Sequence, residues 1–191
     1  MRYTIGLMVV LFTSVKAYSQ HTKSLQEPAF GIVFFFNDFN TPASIRAGSI
    51  SETIRNKRFA RLAEMTPGLA VTYFRGIAPK VAFSSTLAGS FLNYPLPSRT
   101  SRSSESFLLE GDVSLQTKMF PDKYWFNPYL QAGLGVSKFS GYWGAFMPAG
   151  TGIQITFFEE AYLLINAQYR IPVSPTVRGH FFFSLGISGS F

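Results

Sequence analysis

The chain alternates. Over residues 180–191, Phe181, Phe183, Leu185, Ile187 and Phe191 share one parity, and Ser184, Gly186, Ser188 and Ser190 share the other. Successive side chains of a strand point to opposite faces, so this segment presents one greasy face and one small, polar face. The same alternation recurs in about eight segments, near 29–38, 67–75, 80–94, 105–120, 124–138, 145–158, 160–173 and 179–191. A terminal strand must pair with something, and in a closed barrel the last strand pairs with the first so that no edge remains. The pattern predicts an all-β fold: an eight-stranded antiparallel up-and-down transmembrane β-barrel over 29–191. Ten residues tilted by about 40° rise roughly 25 Å, the height of the apolar band of such barrels.

The connections between these segments orient the barrel. Stretches 76–79, 121–123 and 158–159 read as tight turns, whereas 39–66, 95–104, 139–144 and 174–178 are mostly longer and richer in Gly, Pro and Ser. Barrels of this class keep short turns and both termini on the periplasmic side and longer loops outside. The first loop is then the main exterior feature. Its 44–65 stretch has helical periodicity in places and carries Arg46, Arg55, Lys57, Arg58 and Arg61 against Glu52 and Glu64. Such a basic segment suits lipopolysaccharide contact or partner docking, while the simpler reading is a solvated flap with a short amphipathic helix.

Composition separates a membrane barrel from a soluble one. Charged residues make up 14% of the chain, against roughly 25% in ordinary soluble domains, while 17% are aromatic and 47% apolar. A soluble barrel would need Lys, Glu and Asp along its outer face. Here the polar face is mostly Gly, Ser, Thr, Gln and Asn, which suits a narrow packed lumen. Residues 1–19 read as a cleaved signal peptide, with Arg2 as its basic start, an apolar run from Ile5 to Phe12, and Ala17-Tyr18-Ser19 before the cut. The apolar run is too short for a spanning helix, which needs roughly 20 residues. Residues 20–28 would then be a periplasmic lead-in, and the destination the bacterial outer membrane. Loss of Arg2 and Lys16 with the leader lowers the net charge from +7 to +5, spread over loops and turns, which is no nucleic-acid signature. Cysteine is absent, so neither disulfides nor thiol chemistry shape the chain.

Aromatic residues are expected to form two interfacial girdles. Tyr94, Phe139, Tyr142, Trp143 and Phe146 fall at the expected outer strand ends, and Phe120, Tyr124, Trp125, Phe126, Phe157 and Phe158 at the inner ends.

Several stretches resemble the N-terminal transmembrane domain of OmpA-type outer-membrane proteins. They are Phe30-Gly31 through Asp38-Phe39 with Thr41-Pro42, then Pro67-Gly68-Leu69-Ala70-Val71, then Asn127-Pro128-Tyr129-Leu130-Gln131-Ala132-Gly133-Leu134-Gly135, and the final strand. The likeness covers nearly the whole mature chain. It implies a barrel without the family's C-terminal peptidoglycan-binding domain, since nothing follows Phe191. The closing strand, through Phe181, Phe183, Leu185, Ile187 and the terminal Phe191, also resembles the signal read by the barrel-assembly machinery, which would be a transient partner. Outer-membrane lipids and lipopolysaccharide would surround the barrel.

The lumen is where chemistry would have to sit. Glu110, Asp112, Ser114, Gln116 and Lys118 share the inner parity of the fourth strand, Asn166, Gln168 and Arg170 that of the seventh, Tyr129 and Gln131 that of the fifth, and Gln154 and Thr156 that of the sixth. Buried charges must be paired to be tolerated, so Arg170 is expected to pair with Glu110 or Asp112. Glu110, Asp112, Lys118, Gln131, Asn166, Gln168 and Arg170 would together form a polar plug. Paired carboxylates could also serve acid-base work or a cation, but an eight-stranded interior is just wide enough to be filled by side chains. His180 and Ser184 share a parity that aims both inward, away from lipid, and no nucleophile elbow, metal-spaced cluster or phosphate loop occurs. The expectation is a structural or interaction barrel with no cofactor, no metal and no catalytic residue. A narrow channel is the alternative, and a lipid A-modifying enzyme a remote one.

Overall fold

The computed structural model describes residues 25–92, 106–121, 124–157 and 161–190. The leader 1–19 and the start of the 20–28 segment lie outside the described residues, as do the 95–104 connection, Tyr94, Asp122, Lys123, Phe158, Glu159 and Phe191.

Eight strands close into a barrel in sequence order: β1 (Ala29–Asp38), β2 (Thr66–Ala78), β3 (Val81–Leu92), β4 (Ser106–Lys118), β5 (Phe126–Phe139), β6 (Tyr142–Phe157), β7 (Ala161–Pro172) and β8 (His180–Ser190). Every neighbouring pair is antiparallel, and β8 returns to β1 with Ala29 opposite Ser190 and Asp38 opposite Phe181. Full closure leaves no row of unpaired backbone groups, which is why a chain this rich in exposed apolar strand residues keeps no sticky edge. Phe30, Ile32, Phe34 and Phe36 of β1 point outward while Ala29, Gly31, Val33, Phe35 and Asn37 point inward. On β8 the outward face is Phe181, Phe183, Leu185 and Ile187. The exterior is thus apolar; Ile32 is 71% exposed and Ile187 67%.

Two connections differ from the sequence expectation. The 76–79 turn is smaller, because β2 runs through Gly76 and Ile77 to Ala78 and a register shift between Gly76 and Ala78 absorbs the extra residue, leaving Pro79-Lys80 to reverse the chain. The 139–144 stretch is no long loop: β5 and β6 pair up to Phe139 opposite Tyr142, and only Ser140 and Gly141 lie between. Both have positive φ, 49° and 87°, as the twist-matched two-residue hairpin turn requires.

The 39–65 connection is folded on itself. It holds helix α1 (Asn40–Ala47), helix α2 (Ile50–Arg55) and a 3-10 turn (Leu62–Glu64). The Asp38 carboxylate accepts from the backbone N–H groups of Asn40 and Thr41, starting α1, and Ser49 Oγ accepts from Glu52 N–H, starting α2. Thr41 then ties the returning chain, its Oγ1 accepting from Ala60 N–H at 2.9 Å.

Candidate functional site

The lumen is filled in layers, and the layers are not uniformly polar. The alternation alone assigns the inner face to small polar residues. Instead Val33, Phe35, Ala70, Ala88 and Phe182 form one buried apolar layer, and Ala29, Phe74, Tyr162 and Leu164 another nearer the 79–80 turn. An alternating strand says only which residues share a face, not which face is inner, and on β1 the inward face itself carries Val33 and Phe35.

Next to the first apolar layer lies the charged one. Arg170 on β7 is fully buried, and its guanidinium donates to Glu110 Oε2 and, at 3.4 Å, to Asp112 Oδ2, both on β4. Glu110 and Asp112 are two residues apart on one strand face, so one planar guanidinium reaches both. The guanidinium carbon lies over the rings of Phe182 and Phe146, 4.0 and 4.9 Å from their centroids. Phe146 therefore sits inside the barrel and belongs to no girdle: it shares the inner parity of Pro148, Gly152 and Gln154. Asp112 also accepts from Ser114 Oγ at 3.3 Å.

His180 completes this layer, a place that the expected set of plug residues does not give it. Its Nδ1 donates to the Arg178 carbonyl at 3.0 Å, its Nε2 faces Glu110 Oε2 at 3.6 Å, and Phe39 stacks on its ring at 4.4 Å. The signal for it is the parity that His180 shares with Phe182. Above it, Phe39, Leu92, Leu108, Phe139, Thr176 and Val177 help to enclose a mouth cavity of about 60 Å³. Phe139, expected in the outer girdle, thus lines the mouth, whereas Tyr142 and Trp143 are exposed on the exterior.

The other polar residues do not join the Arg170 cluster. Gln116 Nε2 and Asn166 Nδ2 both donate to Gln131 Oε1 at 3.4 Å, and with Gln168, Tyr129 and Ser184 they border an internal cavity of about 20 Å³. That is room for about one water. Lys118 lies eight residues along β4 from Glu110, about 27 Å by strand rise, and donates to Gln26 Oε1 at 2.5 Å. Gln26 is buried and its carbonyl accepts from Gly76 N–H, so the end of the 20–28 segment is tucked across the 79–80 end of the barrel. The seven residues expected to form one plug thus fall into three separate layers.

Arg46, Arg55, Lys57, Arg58 and Arg61 are exposed on the 39–65 connection, and Arg61 pairs with Glu64 at 2.6 Å. His180 and Ser184 both face inward, but four residues apart on a strand, about 13 Å, they form no dyad. Among the described residues, Glu110, Asp112 and His180 are the nearest approach to a cation site, and the Arg170 guanidinium occupies the place a cation would take.

No protein-family model and no curated protein sequence matches the chain. Among solved structures it is similar to Neisserial surface protein A (14% identity, 88% of this chain and 100% of that one, TM-score 0.58). It is similar also to the N-terminal β-barrel domain of OprF from Pseudomonas aeruginosa (11% identity, 87% and 99%, TM-score 0.53). A third likeness is to Ail, the attachment invasion locus protein of Yersinia pestis, in complex with the heparin analogue sucrose octasulfate (12% identity, 89% and 100%, TM-score 0.52). The fold is that of the small eight-stranded outer-membrane barrels.

Proposed function

We propose that this barrel resides in a bacterial outer membrane, delivered by the 1–19 leader, and serves as a structural and display element whose lumen is closed by its own side chains. The observation that carries the reading is the Arg170 layer. A guanidinium held by Glu110 and Asp112 and lying over the rings of Phe182 and Phe146 separates the 60 Å³ mouth cavity from the 20 Å³ inner one. Buried ion pairs resist rearrangement because an unpaired charge in such a setting is costly. The apolar exterior supports the membrane placement. Termini on the periplasmic side would put the 39–65 connection outside, where Arg46, Arg55, Lys57, Arg58 and Arg61 meet anionic partners such as lipopolysaccharide. Insertion would proceed through the barrel-assembly machinery reading the closing strand. Catalysis has no part in this reading, since His180 is packed between Phe39 and Glu110 rather than offered to lipid.

Conductance in planar bilayers tests the closure. The wild type should stay silent and Arg170→Ala should pass small ions. A steady ohmic current from the wild type would refute the plug and favour a channel. Recovery in the soluble fraction, with identical gel mobility before and after boiling, would refute the membrane placement.

A further inference from the structure

The outer wall of the barrel carries a groove. Thr151 of β6 and Ala167 of β7 are register partners and the smallest outward side chains of their row, between Phe183 and Phe36 on one side and the Ile153, Ile165 and Leu185 row on the other. The depression they leave is about 590 Å³ and almost wholly apolar. Its one hydroxyl on β6 is already engaged, Thr151 Oγ1 donating to the Tyr129 carbonyl at 3.0 Å. A depression this apolar, set in an apolar wall, suits a hydrocarbon chain rather than a water-soluble partner.

What stands above the groove gives the occupant its head. Phe183 at the groove edge stacks on Phe181 (5.8 Å, 28°), and Phe181 carries Phe59 of the 39–65 connection at 6.2 Å. Phe59 is flanked by exposed Arg58 and Arg61, with Lys57 and Arg55 just before. This placement is built into the loop: Thr41 holds Ala60, and Lys57 and Ala60 adopt positive φ of 52° and 50°, bending the chain on either side of Phe59. Three rings therefore lead from a basic cluster to an apolar groove within a few residues of strand, roughly 7 Å per two residues. The Arg61–Glu64 pair is solvent-exposed, and such pairs exchange partners at little cost.

We propose that the groove and the Lys57-Arg58-Arg61 cluster form one binding site for a phosphorylated, multi-acylated lipid of the leaflet on the 39–65 side. An acyl chain lies over Thr151 and Ala167 while the phosphate meets the guanidinium groups, whose fork geometry matches phosphate oxygens. The proposal rests on the membrane placement above and deepens it.

The test folds the barrel into nanodiscs of neutral phosphatidylcholine doped with either bis-phosphorylated lipid A or its dephosphorylated form, and counts retained lipid by native mass spectrometry. Wild type should retain the phosphorylated form in preference, by on the order of tenfold. Combined Lys57→Gln, Arg58→Gln and Arg61→Gln changes, all at exposed positions, should bring the two forms close to parity. Ala167→Phe should lower retention of both with the basic cluster intact. Equal retention of the two forms by wild type, or retention unaffected by either variant, would overturn the site while leaving the barrel in its membrane. Failure of the wild type to enter the disc, with no heat-dependent gel shift, would overturn the membrane placement and the site together.

Discussion

Arg170→Ala is the most informative single change, because it strips the cation from two buried carboxylates at once. Arg170 is fully buried and Glu110 is 2% exposed, so water does not reach the pair to compensate. Breaking a buried ion pair by removing one partner costs about 3–5 kcal/mol. The two ring contacts at 4.0 and 4.9 Å fall within that figure rather than adding to it, since the same guanidinium makes all four interactions. Against the 5–15 kcal/mol typical of domains, about 4 kcal/mol is a large loss. The control is Arg170→Met combined with Glu110→Gln and Asp112→Asn, which removes every charge and keeps the volume. It should recover all but about 1 kcal/mol, because neutral replacement of a buried ionic cluster is often close to energetically neutral. Urea unfolding in phospholipid vesicles, followed by Trp125 and Trp143 fluorescence and by heat-dependent gel mobility, measures both. A loss under about 1 kcal/mol for Arg170→Ala, or a triple variant no more stable than the single one, would refute the argument that desolvated charge dominates this layer.

Other substitutions probe other links. Leu185→Arg, at an outward position 52% exposed, should cost about 2–4 kcal/mol in a bilayer and nothing in a barrel surrounded by water, so vesicle unfolding read against aqueous solubility separates the two settings. Gly133→Ala should lower stability by about 2–3 kcal/mol, because its Cβ would lie 2.1 Å from the Val113 carbonyl oxygen, whereas Gly111→Ala, with nothing nearer than 3.8 Å, should be close to silent in the same titration. Gly141→Ala meets no steric neighbour but keeps φ at 87°, so a loss of about 1 kcal/mol from backbone strain alone is expected.

The strands are legible in the sequence because barrel walls impose a period of two that no helix shares. That period places β1 at 29–38, as found; parity groups Phe181, Phe183, Leu185 and Ile187 on one face, and the low charge of the chain, which suits an apolar exterior, turns that face outward. The turn at 140–141 is not legible as a tight one: Ser140 and Gly141 sit in a Gly- and aromatic-rich stretch whose shortness depends on how far β5 and β6 pair. Lys118 and Arg170 have the same inner parity and the same charge, yet Arg170 lies in the mouth layer and Lys118 at the opposite end beside Gln26. Parity assigns a face; the stagger between strands assigns a height.

Alternation along the chain, low charge and an aromatic-rich outer face by themselves determined the barrel, its strand number and the outward side of β8, because each follows from local geometry and the solvent a face must meet. Tertiary structure decided the rest. It placed Arg170 between two carboxylates and two rings contributed by β4, β6 and β8, brought Phe139 and Phe146 inside, and laid Phe59 against Phe181. Those contacts join residues from 12 to 122 positions apart, and their partners are chosen by register, closure and loop return, which no local pattern encodes.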